Sequence, residues 1–422
     1  MVDLMMDKQQ SGTAGKGAPT GFKLTEVGVI PEDWDCVPFG NLFKTSTKKK
    51  NVSDHELVSF IGMQDVSEDA QLKNSTQFLF KDVKSGFTYF EKGDVLLAKI
   101  TPCFENGKGC YTAELPTNIG FGSTEFHVLR ENETSDSRFI YYWTTDKKFR
   151  ASLESEMVGS AGHRRVPLVA VKAFLIPCPK NKQEQSAIAN TLSDVDDFIL
   201  ASEKLIAKKQ AIKTASMQQL LTGKTRLPKF ALRDDGAVKG YKKRELGNIP
   251  EDWVVSTFGS VMKIRHGKNQ KHVECLDGEY PIYATGGQIG KANAFLYNKP
   301  SVLIGRKGTI DKPRYIDKPF WTVDTLFYSE ISESTDAKFI YYQFCMIDWM
   351  QYNEASGVPS LNAGTIESIQ TVLPSIEEQI AIATILSDMD KDIQTLQQRL
   401  DKARQLKKGM MQELLTGKTR LM

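Results

Sequence analysis

The chain has 422 residues, 40% of them hydrophobic and 25% charged, and a formal net charge of +3. That is a globular composition with room for two or three domains, and the mild charge permits nucleic-acid binding without arguing for it. No apolar run reaches about eighteen residues and Met1–Gln10 holds no signal-peptide core, so a cytoplasmic chain with no membrane partner is expected. Cys36, Cys103, Cys110, Cys178, Cys275 and Cys345 show no Cys-x-x-Cys pairing and read as free, mostly buried thiols.

Residues 1–21, with Ser11-Gly12-Thr13-Ala14-Gly15-Lys16-Gly17, read as a flexible leader. The first globular signal is Gly28-Val29-Ile30-Pro31-Glu32-Asp33-Trp34, echoed 219 positions later by Gly247-Asn248-Ile249-Pro250-Glu251-Asp252-Trp253. Pro fixes a turn, and Glu-Asp suits a short helix start that sets the Trp into a core. Phe139-Ile140-Tyr141-Tyr142 returns 200 positions later as Phe339-Ile340-Tyr341-Tyr342. Met217-Gln218-Gln219-Leu220-Leu221-Thr222-Gly223-Lys224-Thr225-Arg226-Leu227 returns 194 positions later with ten of eleven residues unchanged, and Glu184-Gln185 returns as Glu378-Gln379. Internal repetition of this kind sets the architecture. The shrinking offset means that the second copy is shorter in its variable middle. One plan, a globular domain and then a long helix, is used twice: 22–180 and 181–227, a linker at 228–244, then 245–374 and 375–422.

The helices are read from heptads. Ile382, Leu386, Met389, Ile393, Leu396 and Leu400 follow alternating steps of four and three, a stripe that runs on to Leu414 with only Lys407 interrupting. Ile188, Leu192, Val195 and Ile199 keep the same seam in the first copy. It then blurs at Ser202, Lys209 and Lys213, while Leu205 and Ile212 widen the stripe. Neither helix can bury its seam alone, and two of similar length most simply pack antiparallel. Gly223-Lys224-Thr225 and Gly417-Lys418-Thr419 tempt a nucleotide-loop reading, but Gln218 and Gln412 stand where that loop needs glycine. These glycines are helix caps.

Two apolar runs, Asp94–Ile100 and Ser301–Gly305, read as strands, each leading to a cation and a polar loop containing glycine. Lys99, Thr101, Asn106 and Lys108 mark the first loop; Arg306, Lys307 and Thr309 mark the second. Neighbouring loops add Lys48, Lys50, Arg164 and Arg165 in the first copy, and Arg265, Lys268 and Gln288 in the second. Glycine lets backbone approach a ligand, and Lys, Arg, Asn and Gln pair with phosphates or purine edges. Composition alone fits solvated surface better; placement in two copies on one frame favours a ligand. Glu105 suits either a cytosine amino group or a brace for its own loop. Catalytic patterns are missing: no Asn/Asp-Pro-Pro-Tyr/Phe element, no dinucleotide loop, no His-Glu-x-x-His and no Cys/His cluster.

The Ile-Pro-Glu-Asp-Trp starts, the Glu-Gln-x-Ala-Ile-Ala helix starts and the Leu-Leu-Thr-Gly-Lys-Thr-Arg-Leu ends resemble the specificity (S) subunit of type I restriction–modification enzymes. Val302-Leu303-Ile304-Gly305-Arg306-Lys307-Gly308-Thr309 is similar to a strand–loop of that family's target recognition domains; Asp311 departs from it, where a second Gly is common. The likeness covers residues 22–422. It implies an α+β chain: two α/β target recognition domains and two long helices forming an antiparallel coiled coil, a pseudo-two-fold internal repeat. It implies a non-catalytic reader of double-stranded DNA, one half-site per domain. A helix over 378–415 is about 57 Å long at 1.5 Å per residue, longer than the roughly 34–36 Å between half-sites one DNA turn apart. By the same resemblance two methyltransferase (M) subunits dock on the helices and carry S-adenosylmethionine, which this chain does not bind, and a motor–nuclease (R) subunit is a further partner. A coiled-coil scaffold for protein partners and an autonomous nuclease or methyltransferase are the competing readings.

Overall fold

Short apolar runs broken by glycine and polar turns give strands of two to six residues, and two long proline-free stretches with apolar residues at heptad spacing give helices of 39. The computed structural model describes residues 18–45, 49–160 and 162–421; most of the expected leader and the candidate Lys48 lie outside them. The chain divides into two units, Met1–Ala201 with Leu400–Met422, and Ser202–Arg399.

In the first unit a four-stranded antiparallel sheet runs in the order Phe43–Lys44, Phe126–Glu131, β1 (Val95–Ala98), Gly109–Tyr111. Every residue of β1 is buried, because it is a central strand covered on both faces. A second sheet orders Thr76–Leu79, Leu57–Ile61, Ile119–Gly122 and Thr88–Glu91, with a parallel central pair. Helix α1 (Ser137–Thr145) is capped by Asp136, whose carboxylate accepts from the Arg138 and Phe139 amides. It buries Phe139 and Ile140 in a core with Trp34, Phe39 and Phe149. Ile188 and Leu192, from the start of α2 (Lys182–Leu220), and Leu414 and Leu415 close the same core.

The second unit repeats this. Its four-stranded sheet orders Met262–His266, Leu326–Ile331, β2 (Ser301–Gly305), Arg314–Ile316, and β2 is likewise wholly buried. Helix α3 (Ala337–Met346), capped by Asp336, buries Phe339 and Ile340 against Trp253, Phe258 and Trp349. Ile382 and Leu386, from the start of α4 (Ile376–Leu414), join Met217, Leu220 and Leu221 there. The second sheet has three strands, Gly287–Ala292, Tyr280–Ala284 and Trp321–Thr322, so one strand fewer accounts for part of the shorter middle.

The repeated motifs turn out to be the contacts that hold each unit. Gln185 and Gln379 are buried; their amide oxygens accept from the Asp136 and Asp336 backbone N–H, and their amide nitrogens donate to the Pro179 and Pro374 carbonyls. Tyr142 and Tyr342 donate to Asp196 and Asp390 at 3.0 and 2.8 Å, and Lys407 and Lys213 lie over the two tyrosine rings while pairing with the same aspartates. Gly223 and Gly417 both have φ +70°, and a Cβ on either would come within 2.5 or 2.6 Å of a proline ring, Pro250 or Pro31. Only glycine meets both demands.

Two expectations need correction. Glu32-Asp33 and Glu251-Asp252 start no helix; each pair is a turn after the strand Gly28–Pro31 or Gly247–Pro250. Their role is ionic: Asp33 and Asp252 take the guanidinium groups of Arg420 and Arg226. Leu205 and Ile212 do not widen a buried stripe, since both are exposed. The seam passes through Ile206, Lys209, Lys213 and Met217 instead, and its two lysines meet Asp392 and Asp390 of α4. Of the six thiols, Cys110 and Cys178 are buried, while Cys275 and Cys345 are exposed.

Arg226 and Glu378 form a bidentate pair whose side chains are 6% and 2% exposed, and Glu378 also accepts from the Trp253 indole N–H. The matching Arg420–Glu184 pair leaves Arg420 38% exposed. Glu378→Ala is therefore expected to cost about 3–5 kcal/mol and Glu184→Ala about 1 kcal/mol, read by denaturant unfolding. Burial opposes ionisation of Asp252, but hydrogen bonds from Arg226 and Lys239 outweigh it and hold its pKa at about 2. A depressed carboxylate stabilises above its unfolded pKa and loses that contribution as pH falls through the folded one. Asp252→Asn is expected to weaken the fold above about pH 4, with the difference shrinking as pH falls and vanishing below about pH 2.

Candidate nucleic-acid interface

Both central strands deliver their ends to a polar loop that a later segment backs. In the first unit the Thr101 amide donates to the Arg164 carbonyl at 3.0 Å, and the Val166 amide to the Lys99 carbonyl at 2.9 Å. The Lys99–Lys108 loop and Arg164-Arg165, distant in sequence, are thereby brought together. In the second unit the Gly308 amide donates to the Pro359 carbonyl at 2.8 Å, and the Leu361 amide to the Arg306 carbonyl at 2.9 Å. Gly308 has φ +89°, and the space of a Cβ on Gly305 is filled by the Thr309 carbonyl oxygen, 2.1 Å away. Asp311 needs no glycine, since Ala70 is the single non-glycine residue with positive φ among the described residues.

The polar side chains divide by what holds them. Glu105 braces its loop: it accepts from the Thr101 hydroxyl at 2.7 Å and lies 3.6 Å from Arg164. Its other carboxylate oxygen is buried without a partner. Lys108 donates to the Met63 carbonyl, Asn106 to Glu68, and Lys50 pairs with Glu91. Arg165 makes a bidentate pair with Glu125, whose hydrogen bonds from Arg165 keep its carboxyl below the usual range, so the pair is charged at neutral pH. The Lys99 side chain makes no hydrogen bond or close ion pair among the described residues, though its charge helps hold the Glu125 carboxyl low. In the second unit Arg265 pairs with Glu330, and Arg306 donates to the Asp324 carbonyl at 3.2 Å. Gln288 is exposed and donates to the Gly290 carbonyl, while Lys268 and Lys307 are exposed with no ion pair among the described residues and Thr309 is half-buried. First-copy loops are thus largely neutralised from within; second-copy loops keep more unpaired positive charge.

Two arginines escaped the sequence reading. Arg150, on the helix Lys147–Ser155, is buried and donates to the carbonyls of Phe104, Gly107, Lys108 and Thr144, so it fixes the backbone of the first loop. Burial lowers its pKa to about 10, still protonated at neutral pH. Nothing in Lys147-Lys148-Phe149-Arg150 separates it from surface charge except its place four residues after the capping Asp146. Arg314 begins an edge strand and makes no ion pair among the described residues. No group of three or more His, Cys, Asp or Glu able to hold a metal occurs among the described residues, and no helix there is long and apolar enough to cross a membrane.

This architecture, two domains on one frame with dissimilar polar loops at matching strand ends, defines a class of duplicated α/β proteins. Residues 31–214 and 250–405 match the family of the type I restriction modification DNA specificity domain, and the chain belongs to that family. It is 34% identical to the type I restriction enzyme EcoAI specificity subunit of Escherichia coli over 38% of this chain and 27% of that subunit. The chain thus spans little more than a quarter of that relative's length in alignment. With the MjaVIII specificity subunit of Methanocaldococcus jannaschii it shares 25% identity over 93% of this chain and 94% of that one. Its fold matches the crystal structure of a type I restriction–modification system S subunit from M. genitalium with a TM-score of 0.60 and 17% identity, covering 93% and 98% of the two chains.

Arg150→Ala strips four carbonyls of a charged donor in a dry site. A loss of at least about 3 kcal/mol is expected, with amide hydrogen exchange rising first at Phe104–Lys108.

Proposed function

We propose that the chain is the DNA sequence-specificity subunit of a type I restriction–modification assembly. Each domain reads one half of a bipartite, asymmetric target in double-stranded DNA, through the loops at the ends of β1 and β2. The observation that carries this is the contrast between a frame repeated contact for contact and loops that share almost no chemistry. A scaffold for identical partners would repeat its surfaces as well; a reader of two different half-sites must not.

Helices α2 and α4 form an antiparallel coiled coil that gives the chain a pseudo-two-fold axis and fixes the half-site spacing. Support comes from the pairs Lys209–Asp392 and Lys213–Asp390, whose numbers run in opposite directions along the two helices. Two methyltransferase subunits dock on the helices and bring S-adenosylmethionine, and a motor–nuclease subunit completes the assembly. The chain itself performs no chemistry. It acts by placing the DNA, and it works in the cytoplasm.

Methylome sequencing of cells carrying the chain and its methyltransferase partner is expected to return a two-part motif. Lys307→Ala should weaken DNA binding of the assembled complex and lower the salt slope by about one without changing the motif, as a phosphate contact does. Methylation without a bipartite motif, or DNA binding indifferent to salt, would refute the reading and leave a protein scaffold in its place.

A further inference from the structure

The strand Arg314–Ile316 pairs with β2 so that Arg314 lies opposite Leu303. In the first unit the residue opposite the matching Leu96 is Cys110, which is buried and apolar in character. Arg314 therefore puts a cation where the other domain has none. Its guanidinium makes no hydrogen bond or ion pair among the described residues, and its Nε is buried with no acceptor. A partnerless arginine in open solvent is ordinary. One that has given up the hydration of Nε without a protein acceptor is costly, and a bound group that satisfies the remaining donors repays the arrangement.

The surroundings suit such a group. The two terminal nitrogens lie at the turn of the Tyr280–Ala292 hairpin, where a methyl on Gly287 would sit 3.7 Å from each. Gly286 faces open space, and a Cβ on Gly308 would meet only the Thr285 hydroxyl, at 3.8 Å. Gly287 thus leaves the space beside the guanidinium clear of a side chain, with Gln288 exposed one residue away. Bare backbone on this scale lets a flat, rigid edge come flush. With Nε buried, what remains is the end-on fork of Nη1 and Nη2, which matches the paired O6 and N7 acceptors of guanine in the major groove. The same domain's exposed Lys268 and Lys307 are available for the phosphates.

We propose that Arg314 is a specificity-determining residue that reads one guanine in the half-site of the second domain. This rests on the specificity reading above. The test uses the full chain assembled with its methyltransferase partner, on DNA libraries randomised in both half-sites, comparing the unaltered chain with Arg314→Gln and the charge-keeping Arg314→Lys. Preference for guanine is expected to fall about 5- to 150-fold at a single position of one half-site, with the other half-site and the salt slope unchanged. 7-Deazaguanine at that position should reproduce the loss with the unaltered chain and add nothing with Arg314→Gln. Uniform weakening with a salt slope lower by about one would make Arg314 a phosphate contact and overturn the assignment. An unchanged motif with either variant would overturn it too. No motif with the unaltered chain would overturn the specificity reading itself, and the assignment with it.

Discussion

A carboxylate at the first turn of each long helix, fully buried in the second unit, is the constraint from which the rest follows. Glu378 must meet the Arg226 guanidinium and the Trp253 indole in a site nearly closed to water. An ionised carboxylate there is tolerable only if its oxygens are occupied, and removing one partner leaves a buried charge. The pair therefore locks together three pieces of chain: the end of one helix, the turn that opens a domain, and the start of the next helix. Glu184, Arg420 and Trp34 do the same in the first unit, more exposed to solvent.

This explains why the repeated motifs are where they are. The Leu-Thr-Gly-Lys-Thr-Arg-Leu ends carry a left-handed glycine because only then can the chain turn off the helix and bring the arginine back to the carboxylate. The glycine has a second duty, lying flat against Pro250 or Pro31. Gln185 and Gln379, next in line, tie the helix start to the cap of α1 or α3 and to the last strand of the same domain. Once these groups are satisfied, the end of β1 or β2 is held at a fixed place, and the loop beyond it is free to vary in chemistry without endangering the fold. Loops built this way can change what they bind while the scaffold stays the same.

The polar positions on the helix seam illustrate a related economy. Lys213 and Lys407 stand among the apolar residues of the two stripes, yet each pairs with an aspartate and lies over a tyrosine ring. Such pairs contribute little net stability, because the cost of partly desolvating two charges offsets most of their attraction.

The sequence by itself determined the duplication, the helices with their glycine caps, and the two buried strands, because these rest on periodicity, on glycine's access to positive φ and on runs of apolar residues, all local properties of the chain. It also marked the polar loops. Only the tertiary structure decided the duties of individual charges. Arg150 and Arg314 look alike as letters, but four carbonyls surround the first and none reaches the second. Lys108, Asn106 and Arg165 look like ligand donors until Met63, Glu68 and Glu125 are seen to hold them. Leu205 and Ile212 fit a helical stripe by spacing, yet the neighbours Ile206 and Lys213 take the inward positions, the first buried and the second paired with Asp390 of α4. A charge's role depends on which acceptors the fold brings within about 3 Å, and residues far apart in sequence supply them.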